Sequence, residues 1–174
     1  MKNFLPVSML LLMVVACNPP KPSSPSTEMK SNDSAMAALY EKNLASLKAG
    51  IAAFESENAD AWSAVVSDSA IYVSPIYGDR DSTKAHWQQL IMSYWANWDS
   101  LRLINPIFLP GIDQQTHELD GSVRYYGGWS GVHKSGKHTL VGFYGTYEFN
   151  ADGKIISAAE FFDAGGVLNA VTAK

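Results

Sequence analysis

The chain has 174 residues, 13 Lys and Arg against 17 Asp and Glu for a formal charge of −4, and 47% hydrophobic residues. That is the length and composition of about one ordinary globular domain, and it excludes a collagen-like or wholly disordered chain. An acidic balance without a basic run leaves no electrostatic footprint for a phosphate backbone, so nucleic acid is excluded as a partner.

Residues 1–16 place one cation, Lys2, ahead of an apolar run from Phe4 to Ala16, shorter than the roughly 20 residues a membrane-spanning helix needs. This predicts a targeting segment. The stretch Val14-Val15-Ala16-Cys17 resembles the lipobox of bacterial lipoproteins, and that resemblance implies cleavage before Cys17 and lipid attachment to its sulfur. The expected location is then the bacterial cell envelope, with the protein anchored to the membrane by the lipid on Cys17. Cys17 is the single cysteine, so no intrachain disulfide can form. Asn18 to Ser34 holds four prolines and five serines with almost no large apolar residue, a composition that predicts a disordered tether over residues 17–34 and a folded domain over 35–174.

From residue 35 to 57, Tyr40, Leu44, Leu47, Ile51 and Phe54 recur at the four-and-three spacing of a helical stripe. Asn58-Ala59-Asp60 supplies a break and a new cap for a short second helix. Residues 70–74 read as a strand ended by Pro75. Ser82 is the predicted cap of a third helix that carries Trp87, Ile91, Tyr94, Trp95 and Trp98. Leu101 to Leu109 reads as an edge or bulged strand because of Pro106. Residues 122–134, 137–149 and 154–163 follow as long strands joined by Ser135-Gly136 and Asp152-Gly153 turns. Glycines 127, 128, 131, 142 and 145 inside those strands predict bulges and strong curvature. Asp163 is placed to cap a short C-terminal helix.

The order of elements, together with Asp152-Gly153-Lys154-Ile155 and Glu160-Phe161-Phe162-Asp163, resembles the nuclear transport factor 2-like superfamily, and within it the SnoaL-like polyketide cyclases and their relatives. The implied fold is an α+β cone with three N-terminal helices packed on a strongly curved antiparallel sheet. The superfamily hosts enzymes, ligand binders and interaction domains, so the fold alone does not select an activity. In ketosteroid isomerases the general base stands directly before the proline that ends the first strand, and that position is Ser74 here. The limonene-epoxide hydrolase set falls on Tyr72, Ser74, Tyr126, Gly128 and Glu160, which lacks the arginine-bridged pair of carboxylates. SnoaL-like cyclases ask chiefly for one acid in an apolar pocket, and Glu160 stands where that acid is expected.

Three readings follow. The first is a membrane-tethered binding module whose cone is lined by Trp62, Trp87, Trp95, Val141, Phe143 and Phe162 and takes a small, largely apolar molecule. The second is an isomerase or cyclase that uses Glu160 as general acid/base, with Tyr72 or Tyr126 polarising a substrate carbonyl. The third is a non-catalytic domain that forms a homodimer through the outer face of the sheet. Even-numbered residues of the last strand, Ile156, Ala158, Glu160 and Phe162, are expected to face inward. His86, His117, His133 and His138 are scattered without metal-ligand spacing. There is no phosphate-binding glycine fingerprint and no nucleophile elbow, so neither a metal nor any other cofactor is expected.

Overall fold

The computed structural model describes residues 27–80 and 82–173. The targeting segment, Cys17 and most of the expected tether lie outside the described residues. The first helix, α1 (Thr27–Glu55), begins inside the stretch expected to be tether. Leu44 and Leu47 of its apolar stripe are buried, and Tyr40, Ile51 and Phe54 pack at the edge of the same core. Burial at this level is worth about 1.5–3 kcal/mol for each full leucine side chain. At Asn58 the side-chain oxygen accepts from the backbone N–H of Ala61 and starts α2 (Ala59–Val65), which passes directly into strand β1 (Val66–Val73).

Helix α3 (Lys84–Asn97) is capped by Thr83 rather than Ser82, through the His86 N–H. Lys84 Nζ donates to the carbonyls of Ser63 and Val66 at 3.2 and 2.9 Å, tying α3 to the joint between α2 and β1. Trp98 opens strand β2 (Trp98–Ile112), followed by β3 (Leu119–His133), β4 (His138–Phe149), β5 (Ile155–Phe162) and α4 (Ala164–Thr172). Asp163 caps α4 by accepting from the Gly166 N–H at 2.8 Å. No described helix is long and apolar enough to cross a membrane.

The sheet differs from the one the sequence predicts. It is an open, five-stranded sheet in the order β1-β5-β4-β3-β2, with β1 and β2 as its edges and β1 parallel to β5. It is therefore mixed rather than antiparallel, and neither strongly curved nor closed into a cone. Two helices, not three, precede it, and α3 stands between β1 and β2. The expectation of curvature came from reading the strand glycines as bulges. The β3–β4 ladder instead runs without a register shift from Val123 opposite Tyr147 to Val132 opposite His138. Gly131 in this ladder makes room for a neighbour: a Cβ there would lie 2.8 Å from Leu101 Cδ2. Edge strand β2 carries three register shifts, two of them at Ser100 and Asn105, both at positive φ.

Helices α1, α2 and α3 cover one face of the sheet. The core lies between them and the inward side chains of β3, β4 and β5, centred on Val66, Val123, Tyr125, Tyr147 and Ile155.

Candidate functional site

The α-helical layer does not fill the space above the sheet, and a cavity of about 120 Å³ remains. Its wall takes Trp62 from α2, Tyr72 from β1, Trp87 and Tyr94 from α3, Tyr147 from β4 and Glu160 from β5. At this end Trp62, Tyr72, Trp87 and Tyr147 are all buried. Toward the other end the wall passes to half-buried Trp98, Leu101, Thr139 and Val167. Tyr72 and Trp87 stack with centroids 4.6 Å apart, and Trp62 meets Trp87 edge-on at 5.0 Å, which makes this wall a rigid aromatic block.

Glu160 keeps some exposure as a residue, but protein encloses its carboxyl group. Tyr72 Oη donates to Oε2 at 2.9 Å, and Tyr147 Oη donates to Oε1 at 2.9 Å. Burial pushes the Glu160 carboxyl above its ordinary range, and the two phenol hydrogen bonds only partly offset this by favouring the charged form. No cation contributes to that balance.

The tyrosines respond in turn. Burial, followed by the charge of Glu160, raises Tyr72 and Tyr147 well above the usual phenol range. The same two causes push Tyr94 up to about 12. These phenols are therefore uncharged hydrogen-bond donors at neutral pH. The ring of Tyr147 stacks on that of Tyr125 with centroids 5.7 Å apart, and Trp129 Nε1 donates to Tyr125 Oη at 3.1 Å.

The structure brings together Glu160, Tyr72, Trp62, Trp87, Val141, Phe143 and Phe162, all of which line the cavity. It leaves out two residues singled out from the sequence. Tyr126 is 45% exposed and stacks on Tyr144 on the opposite face of the sheet. Trp95 packs on Phe54 and donates its Nε1–H to the Phe54 carbonyl at 2.9 Å, behind the cavity wall.

In β3 the odd-numbered residues Val123, Tyr125 and Trp129 point inward, one position off the register used to align Tyr126 and Gly128. In β5 a register shift at Glu148/Phe149 turns Ile155 into the cavity in place of Ile156. Tyr147 and Tyr125 are the functional neighbours missed in the sequence. Strand alternation from Phe143 would have found Tyr147. His86 is half-buried and pairs with Asp79 at 2.8 Å. No group of three His, Cys, Asp or Glu residues among the described ones could hold a metal.

The sequence matches no protein-family model and no curated protein. Solved structures do match. A candidate polyketide cyclase of Xanthomonas campestris superposes with a TM-score of 0.63 at 14% identity, covering 77% of this chain and 99% of its own. A candidate isomerase of Bacillus subtilis gives 0.65 at 17% identity, with coverages of 78% and 96%. A Catenulispora acidiphila protein with a ketosteroid isomerase-like fold, solved in complex with trimethylamine, gives 0.57 at 14% identity, with coverages of 71% and 88%. The fold is that of the nuclear transport factor 2-like and SnoaL-like proteins, and identities this low speak to fold alone.

Proposed function

We propose that residues 35–174 form a SnoaL-like domain that binds a small, largely apolar molecule in the aromatic cavity, with the Glu160 carboxylate as its polar anchor, and that a lipid on Cys17 holds the domain at the bacterial envelope. The observation that carries the binding reading is an apolar, aromatic-walled cavity of about 120 Å³ with one carboxylate in its wall. A dry engineered cavity of about 150 Å³ takes benzene, so the scale here is a molecule of a few carbon atoms rather than a steroid or a fatty acid. The trimethylamine held by the Catenulispora acidiphila protein is of that scale. A thermal-shift and native mass-spectrometry screen of small aromatics, alcohols and amines tests the reading. A set in which none shifts the melting temperature and none is retained overturns it.

A second reading has its own support. Glu160 lines the cavity with two tyrosine hydroxyls at 2.9 Å, and the Tyr94 hydroxyl stands in the same wall. As a general base Glu160 would take the proton from a carbon next to a substrate carbonyl, and Tyr94 would donate to the oxygen that gains charge. Exchange of such protons with deuterated water, abolished in Glu160→Gln, is its signature. Absence of exchange across small ketones removes this reading and leaves the binding one. The homodimer reading rests on the outer face, where Ile107, Tyr126, Tyr144 and Phe161 form one cross-strand row with exposed aromatic and aliphatic surface. Light scattering on the eluting protein decides it, and a monomer at high concentration excludes it.

A further inference from the structure

The charge inventory of the cavity narrows the class of molecule it takes. Its described wall contains one carboxylate and no Lys, Arg or His. The nearest polar groups are phenols, which donate hydrogen bonds to Glu160 but bring no opposite charge. A carboxylate has about four lone-pair sites, and the two tyrosines take one on each oxygen, so each oxygen keeps one free. An enclosed acid without a counter-charge is costly, and an incoming cation offsets that cost where a neutral molecule does not. An anion would meet like charge and find no donor cluster built for it.

Aromatic walls also suit the apolar shell of an alkylammonium ion. Trp62, Trp87 and Trp129 supply that surface in the cavity wall. We infer that the molecule taken up here is a small organic cation, an ammonium group with apolar substituents totalling about six non-hydrogen atoms or fewer, whose nitrogen pairs with the Glu160 carboxylate. This rests on the binding reading above and specifies its ligand.

Three probes share a tert-butyl body and differ in charge: tert-butylammonium, tert-butanol and pivalate. Calorimetric titration of the full chain near neutral pH is expected to show the ammonium binding at least about tenfold more tightly than the alcohol, with pivalate weakest. In Glu160→Gln the ammonium loses its advantage over the alcohol. Equal or tighter binding of the alcohol or of pivalate in the wild-type protein overturns the cation assignment, while cavity binding stands. If none of the three binds, and benzene and phenol also fail, the binding reading falls with it. The wild-type ratio of ammonium to alcohol affinity decides the matter even if the variant fails to fold.

Discussion

In the ladder between β4 and β5, Gly145 stands directly opposite Glu160, and the ring of Tyr147 occupies the space that a side chain at 145 would fill. A Cβ built on Gly145 would lie 2.7 Å from Tyr147 Cε2 and 2.9 Å from Tyr147 Oη. The missing side chain is what lets Tyr147 fold over its own strand and place its hydroxyl on Glu160 Oε1. Gly145→Ala should therefore push the ring away and remove one of the two donors of Glu160. Overpacking of a closed core and loss of a hydrogen bond to a charged group each cost about 1–3 kcal/mol. Urea denaturation should show a lower midpoint with an unchanged slope. A midpoint equal to that of the wild type would mean that the ring does not depend on this gap.

The titration of Glu160 gives a pH signature. Its carboxyl is raised above an ordinary value of 4.5, so between that value and the raised one the folded protein holds more protons than the unfolded chain. Stability then falls as pH rises through this window and levels off above it. The groups facing Glu160 are Tyr72, Tyr94, Tyr125 and Tyr147, all with raised phenol values, so none of them titrates in the same range. Asp68 and Asp113, whose carboxyls are held low by hydrogen bonds, contribute the opposite slope, and the readable quantity is the difference between wild type and Glu160→Gln. Melting temperatures measured from about pH 4 to pH 8 should show the wild type losing ground to the variant as pH rises. Parallel curves would show that Glu160 has no shifted proton affinity.

Much of this arrangement was legible in the residues, and what was not has a physical cause. The caps at Asn58 and Asp163, the helical stripe of α1 and the hairpin turns depend on neighbours within a few positions, which sequence displays directly. The parallel pairing of β1 with β5 joins segments some 80 residues apart, and no local pattern encodes it. The inward face of β3 was misjudged by one residue, and with period-two alternation that single step exchanges Tyr125 and Tyr126 between the cavity and the outer face. Glu160 itself stood out as an acid among apolar neighbours. Its two hydrogen-bonding tyrosines come from different strands, one at each side of β5.

Trp95 separates packing from ligand contact. Its indole N–H donates to the Phe54 carbonyl in the last turn of α1, and its ring lies behind the cavity wall. Trp95→Phe should cost about 1 kcal/mol, the net worth of one hydrogen bond, with some loss of packing added. Affinity for any cavity ligand should stay within about twofold, a change of about 0.4 kcal/mol. Trp87→Leu, in contrast, removes a ring stacked on Tyr72 and should lower both stability and affinity. A ligand affinity that drops in Trp95→Phe as much as in Trp87→Leu would place Trp95 in the binding wall after all.

Tyr125 and Tyr126 offer the sharpest contrast in the molecule, because adjacent residues of the same type point to opposite faces of one strand. Tyr125 is 2% exposed, accepts from Trp129 and stacks on the ring of Tyr147. Tyr125→Phe leaves the Trp129 N–H without its acceptor, a loss of about 1–3 kcal/mol. Tyr126 is 45% exposed and touches Tyr144 through its ring, so Tyr126→Phe keeps the contact and should change stability by no more than about 0.5 kcal/mol. Paired denaturation curves test both statements at once. Identical behaviour of the two variants would mean that the Trp129–Tyr125 hydrogen bond carries no energetic weight.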